Sequence, residues 1–255
     1  MIPIQPFVLA EDLSLEAQAK KLAKELHLLY KGNFQDLKKQ NKYFRDSIEK
    51  KYFFILGEDR SYLKLGLSSR NKPIYCDFLN WSKSLRKSNL IRSMKGVPEE
   101  CLVIDATAGL GQDALSLATL SRKIILLERV PWIHALLKEG LNKTKNEDFL
   151  IQRMEAVCVD SKYYLSALKQ KVDVIYLDPM FANMGKSKAK KEIQALRELT
   201  NSEKNKGLLD ISLKKAKERV IVKRHRNSKY FEGIKPSFSI KGRVLRYDVY
   251  KPELN

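Results

Sequence analysis

Cysteine, histidine and acidic residues are all scarce in this chain. Its 255 residues include three cysteines, three histidines and 30 acidic residues against 49 basic ones. Cys76, Cys101 and Cys158 are widely spaced in apolar runs, which excludes the disulfide framework of a small secreted domain and offers no zinc-ligand spacing. His27, His134 and His225 also lack the spacing of metal ligands, so no metal is expected. His134 reads as a packing or surface residue. No apolar stretch is long enough to span a bilayer, and Met1-Ile2-Pro3-Ile4-Gln5-Pro6 has neither the basic nor the apolar segment of an export signal. A soluble, cytoplasmic protein with no membrane partner is the expectation.

The acid deficit leaves a formal charge of +19 on a chain that is 44% hydrophobic. That composition is globular, and its charge exceeds what solubility requires. It favours a polyanionic partner, nucleic acid first and an acidic membrane surface second. A generally basic proteome gives the same excess with neither partner.

Residues 1–97 read as a small α+β domain ending in a basic bridge. Phe7-Val8-Leu9 suits a short strand. The segment from Ser14 to Leu29 carries apolar residues at helical spacing, and Asp36 to Lys51 is a charged helix or loop. Three β-like runs follow: Tyr52–Leu56, Tyr62–Leu65 and Ile74–Phe78, with Gly57–Arg60 as a hairpin turn between the first two. The bridge from Trp81 to Lys95 interleaves cations with apolar residues, which serves either phosphate contact or a solvated helix face. Residues 98–255 form the second expected domain. From Leu102 strands and helices alternate regularly, the pattern of a mostly parallel sheet covered on both faces. Polar residues fall at the carboxyl ends of the strands, where open α/β sheets bind ligands.

One of those ends carries Asp105-Ala106-Thr107-Ala108-Gly109-Leu110-Gly111-Gln112-Asp113-Ala114. Gly109 to Ala114 fits G-x-G-x-x-A, a pattern shared by dinucleotide folds and S-adenosylmethionine methyltransferases. Glu128 closes the second strand and suits a ribose diol in either class. Two features favour S-adenosyl-L-methionine over NAD. Asp105 precedes the loop, where an acid suits an ammonium better than a pyrophosphate. Asp178-Pro179-Met180-Phe181 closes a later strand and resembles the Asp/Asn-Pro-Pro-Tyr/Phe signature of methyltransferases that act on exocyclic amines of bases. Such an amine attacks poorly because its lone pair is delocalised into the ring. A carboxylate (Asp178) and a backbone carbonyl near Pro179 can accept its hydrogens, and Phe181 can stack on the base. Methyl transfer then depends on placement, with the base unpaired or flipped out. The tetrad serves guanine N2 and adenine N6 alike. A non-catalytic RNA-binding assembly factor on the same fold is a further alternative.

Val103–Ala114, Leu126–Arg129, Val174–Phe181, Lys186-Ser187 with Lys190-Lys191-Glu192, Val220–Arg224 and Arg246–Tyr250 follow one another in order. Together they resemble the small-subunit ribosomal RNA guanine-N2 methyltransferase J family, from roughly Lys72 to the C-terminus. The resemblance implies a Rossmann-like class I methyltransferase fold and methylation of one guanine N2 in 16S ribosomal RNA of the small ribosomal subunit. It places cofactor contacts at Gln112-Asp113, Glu128-Arg129, Asp160-Ser161 and Asp178, beside Asp105, Gly109 and Gly111. Cations near the expected ligand edge are candidate RNA contacts: Lys186, Lys190 and Lys191 after the tetrad, Lys223 and Arg224 after the penultimate strand, and Arg86-Lys87 in the basic bridge. For the lysines after the tetrad, a solvated face is the competing account.

Overall fold

In the structure, a computed structural model, residues 5–40, 42–67, 72–85, 88–179 and 206–252 are described. The described residues up to Tyr75 make one compact unit and those from Cys76 onward make another.

The first unit has four strands, β1 (Phe7–Ala10), β2 (Tyr30–Asn33), β3 (Tyr52–Leu56) and β4 (Ser61–Leu65), in the order β2-β1-β3-β4. β1 runs parallel to both neighbours, and β3–β4 is the expected antiparallel hairpin. A parallel pair needs a crossover, and α1 (Glu16–Glu25) supplies it by burying Ala19 and Ala23. Two short helices follow β2, α2 (Phe34–Lys39) and α3 (Lys42–Ile48). The core is Leu9, Phe34, Phe53, Ile55 and Leu67.

The run Ile74–Phe78 departs from its expected strand. Ile74 makes only an isolated bridge to Leu63. The preceding Pro73 has no N–H to extend a ladder, and Phe78 opens helix α4 (Phe78–Lys83). A second short helix, α5 (Asn89–Ser93), is capped by Ser88, whose Oγ accepts from the Ile91 N–H at 3.2 Å.

The second unit is built on a seven-stranded sheet. Its strands are β5 (Cys101–Asp105), β6 (Ser121–Glu128), β7 (Met154–Cys158), β8 (Val172–Leu177), β9 (Ala216–His225), β10 (Phe238–Lys241) and β11 (Leu245–Tyr250), in the order β10-β11-β9-β8-β5-β6-β7. The five from β9 to β7 are mutually parallel, while β11 runs antiparallel to both β9 and β10. The sheet-covering helices are α6 (Gln112–Ala118), α7 (Pro131–Thr144), α8 (Phe149–Gln152), α9 (Ser161–Ala167) and α10 (Leu208–Lys215).

Alternation along the strands separates two cores. Val103, Tyr176, Ile221 and Val249 face one side with Phe78, Leu115 and Leu137. Ile104, Ile175, Val222 and Tyr250 face the other with Leu165, Leu209 and Phe231. Chain order reverses direction between β5 and β8, which opens a crevice at their carboxyl ends. No described helix is long and apolar enough to cross a membrane.

Candidate active site

The crevice is lined by the loop between β5 and α6. Ala106 N–H donates to the Tyr176 carbonyl at 2.9 Å and Ala108 N–H to the Leu127 carbonyl at 3.1 Å, so the loop is tied to β8 and β6 together. Gly109 (φ +54°) and Gly111 (φ +79°) take left-handed conformations that favour glycine. A Cβ at Gly111 would lie 2.8 Å from Leu137 Cδ1 and 3.0 Å from Phe78 Cζ, so packing as well as backbone demands glycine there.

Each strand end then contributes an acid. Asp105, at the tip of β5, is 2% exposed, and its Oδ1 accepts from the Thr107 N–H at 3.0 Å. Burial pushes its carboxyl up to about 8, and the Asp113 and Asp178 carboxylates add to that, against the Thr107 N–H and the Lys223 ammonium. Glu128, ending β6, accepts from Gly109 N–H at 3.0 Å through Oε2 and from Val130 N–H at 2.8 Å through Oε1. Burial raises its carboxyl as well, opposed by those two N–H groups. After β7, Asp160 caps α9 by accepting from Lys162 N–H at 3.0 Å, and Ser161 Oγ donates to the Ala106 carbonyl. After β8, the Asp178 N–H donates to Thr107 Oγ1 at 2.6 Å.

Asp178 and Asp113, the latter in the first turn of α6, share one cation. Lys223 Nζ lies 2.6 Å from Asp113 Oδ2 and 3.0 Å from Asp178 Oδ2. The Tyr176 hydroxyl donates to the same Asp113 oxygen at 2.6 Å. Burial works against the charge on Lys223, but the Asp178 and Asp113 carboxylates outweigh it and hold the ammonium above its ordinary range. Tyr247 pairs with Lys223 in the β9–β11 register, and burial beside Asp113 pushes its phenol up to about 12. The sequence reading gave Tyr176 and Tyr247 no role. The available signal was a phenol on a buried strand beside the ligand edge, since a buried hydroxyl usually finds a partner.

The structure thus gathers Asp105, Gly109, Gly111, Asp113, Glu128, Asp160, Ser161, Asp178 and Pro179 around one strand-end crevice, with Gln112 exposed in the first turn of α6 and Arg129 just beyond β6. It corrects the placement of Lys223 and Arg224, which lie inside β9 rather than beyond it and point to opposite faces of the sheet. Lys223 is committed to the two carboxylates. Arg224 is buried, donates from Nη2 to the Lys229 carbonyl at 2.7 Å and lies 5.8 Å from the Phe231 ring centroid. Neither is an open rim cation awaiting a phosphate. Phe181, Arg86, Lys87, Lys186, Lys190 and Lys191 lie outside the described residues. No group of three or more potential metal ligands occurs among the described residues.

A parallel sheet with this strand order, a glycine loop at its switch point and acids on successive strand ends defines a class I methyltransferase that uses S-adenosylmethionine. Residues 36–252 match the family described as "Putative SAM-dependent methyltransferase". The solved structure of a SAM-dependent methyltransferase from Neisseria gonorrhoeae superposes with a TM-score of 0.68 at 23% identity, covering 96% of this chain and 95% of that one. Among curated relatives, "Ribosomal RNA small subunit methyltransferase J" of Cellvibrio japonicus is 40% identical over 219 residues, covering 77% of this chain and 82% of its own. The protein of the same name from Coxiella burnetii (strain RSA 331 / Henzerling II) is 37% identical over 212 residues, covering 78% and 84%. That from Hydrogenovibrio crunogenus is 32% identical over 267 residues, covering 98% and 91%. The chain belongs to the small-subunit ribosomal RNA methyltransferase J family.

The crevice fits the cofactor. Three carboxyl side chains, Asp105, Asp113 and Asp178, face a single ammonium, Lys223. Burial holds the Asp105 carboxyl up at about 8, and a ligand ammonium placed beside it would offset that penalty.

Proposed function

We propose that the protein methylates the exocyclic N2 of one guanine in 16S ribosomal RNA of the small ribosomal subunit, and that it does so in the cytoplasm. The observation that carries this reading is the position of Asp178. It lies at the switch point of the sheet, with its N–H held by Thr107 and its carboxylate by Lys223, and in sequence it opens Asp178-Pro179-Met180-Phe181. The printed name of the curated relatives and the charge of +19 support an RNA substrate.

S-adenosylmethionine supplies the methyl group, carried on a sulfonium. Asp105 would accept from the cofactor's ammonium, Glu128 with Arg129 would hold its ribose and Asp160-Ser161 would border its adenine, with Gly109, Gly111, Gln112 and Asp113 shaping the loop around it. Asp178 and the backbone at Pro179 accept the amine hydrogens of the flipped base, returning electron density to nitrogen, and Phe181 stacks on the base plane. Lys223 and Thr107 position Asp178. Arg86, Lys87, Lys186, Lys190 and Lys191 contact RNA phosphates.

The test is methylation of small subunits from cells lacking the enzyme, with labelled S-adenosylmethionine, followed by digestion to nucleosides. Labelled N2-methylguanosine is expected. Label in N6-methyladenosine alone would move the reading to an adenine enzyme. No transfer at all, with unaltered cellular effect in an Asp178→Ala variant, would favour an assembly factor.

A further inference from the structure

Arg246-Tyr247-Asp248-Val249-Tyr250 is part of the family resemblance, yet only Tyr247 has a place in the crevice just described. Arg246 and Asp248 lie on the other face of β11, where both are almost fully buried at 5% and 0% exposure. Arg246 Nε reaches Asp248 Oδ1 at 2.8 Å and Oδ2 at 3.1 Å. Asp248 Oδ1 also accepts from Ser239 Oγ at 2.6 Å. Arg246 Nη1 donates to the Arg226 carbonyl at 2.5 Å, which ties β11 to the segment after β9. The guanidinium sits 5.1 Å from the Tyr230 ring centroid. Its Nη2 is buried with no hydrogen-bond partner among the described residues. A buried donor without an acceptor is costly, and a charged one more so.

Arg246 also lines a cavity of about 220 Å³, together with Arg226, Lys229, Tyr230, Ser228 and Lys241. Four of its lining residues are cations and none is a carboxylate. The one acid beneath, Asp248, is already shared between Arg246 and Ser239. The site therefore has surplus positive charge, a fixed guanidinium and exposed lysines at its rim.

Its place in the sheet points to one ligand. Arg246 pairs with Arg224 and Lys241 in the β9–β11–β10 ladder, one residue along from the Tyr247–Lys223 pair. The cavity thus opens at the same carboxyl edge as Asp178. With strands spaced about 4.8 Å apart, β11 lies roughly 10 Å from β8, a distance of nucleotide scale. We infer that this cavity is a phosphate subsite that grips the backbone of the RNA beside the target nucleotide, with Arg246 as its floor and Arg226, Lys229 and Lys241 as its rim. The inference rests on the RNA-methylating reading above and adds to it a grip built by the terminal hairpin.

Loss of Arg246 threatens folding because Asp248 would be left buried without its countercharge, so the exposed rim carries the test. The triple variant Arg226→Gln/Lys229→Gln/Lys241→Gln and the wild-type chain are each titrated with small ribosomal subunits across a salt series. S-adenosylhomocysteine binding is measured in parallel. The variant is expected to bind subunits at least tenfold more weakly, with the slope of log K against log salt reduced by about two to three. Its S-adenosylhomocysteine affinity stays unchanged. The acceptor KM rises while kcat holds. An unchanged subunit affinity and salt slope would overturn the subsite whatever the wild type methylates. A weakened variant beside a wild type that transfers no methyl to RNA would instead overturn the functional reading and leave the subsite standing.

Discussion

With Asp105 as the proposed partner of the cofactor's ammonium, cofactor binding becomes a proton-linked event whose size can be worked out. The Asp105 carboxyl sits near pH 8 because burial disfavours the charge and Asp113 and Asp178 lie nearby. In the ligand-free protein it is protonated at neutral pH. An ammonium placed against it favours the ionised form, so binding must expel the proton. With a value of about 8, the affinity should be roughly 100-fold below its proton-free limit at pH 6, about tenfold below at pH 7 and twofold below at pH 8. The cofactor's own α-amino group also loses its proton at alkaline pH, so the profile turns over on that side. Calorimetry of S-adenosylhomocysteine binding at pH 7 in two buffers of different ionisation enthalpy should give close to one proton released. Asp105→Asn should flatten the acid limb and weaken binding at pH 8. The same raised carboxyl acts on stability with a definite sign. The folded chain keeps a proton that the unfolded chain gives up between the ordinary carboxylate range and about 8, so stability falls as pH rises through that window. Asp105→Asn should therefore make the ligand-free protein more stable than wild type at pH 9. An affinity constant to within twofold from pH 6 to 8, or the same profile in Asp105→Asn, would refute the linkage.

Lys223→Met removes the cation shared by Asp113 and Asp178. Its cost in denaturant unfolding should be about 2 kcal/mol, short of the ~3–5 kcal/mol of a fully buried pair, because the three side chains keep 20% to 38% exposure. A neutral result would mean that the pair is not formed in solution. Asp178→Asn should lower kcat by roughly 10²- to 10³-fold, the range of a lost transition-state contact, and single-turnover methyl transfer would show it. The two loop glycines should differ. Gly109→Ala meets no atom within 4 Å and should cost about 1 kcal/mol of backbone strain, whereas Gly111→Ala also meets Leu137 and Phe78 and should cost about 2–4 kcal/mol. Equal melting shifts for the two would contradict the packing account.

The parallel sheet and its loop were legible in the sequence because local signals agree there. The apolar run to Ile104, the glycine pattern and the helical period after Gln112 all give the same strand–turn–helix. Where signals were weak, elements were missed. β2 is four residues that include a lysine and a glycine, and β10 is a short outer strand with no fully buried residue. Neither carries the apolar alternation that betrays a strand. Ile74–Phe78 failed in the opposite sense, since its apolar residues pack individually rather than as a ladder. The candidate site divides the same way. The acids at strand ends could be found by their position, but the Lys223 bridge joins residues 110 and 45 positions apart. Only the register of β9 against β8 brings them together. The place of Lys223 at the end of a buried strand on the ligand edge therefore suggested RNA, while the structure pairs it with the carboxylates.

The opposite facing of Lys223 and Arg224 has a mechanical consequence. Asp178, the proposed acceptor-side carboxylate, is braced from β9, and the proposed backbone grip is built on β11, its hydrogen-bonded neighbour. Two groups fixed to adjacent rungs of one ladder cannot drift apart without breaking the ladder itself. The pair acts as a caliper of set width. On the proposed reading, an RNA held in it would have to adjust its own backbone torsions to present a base, and the rigid sheet would discriminate among strands by how easily they conform.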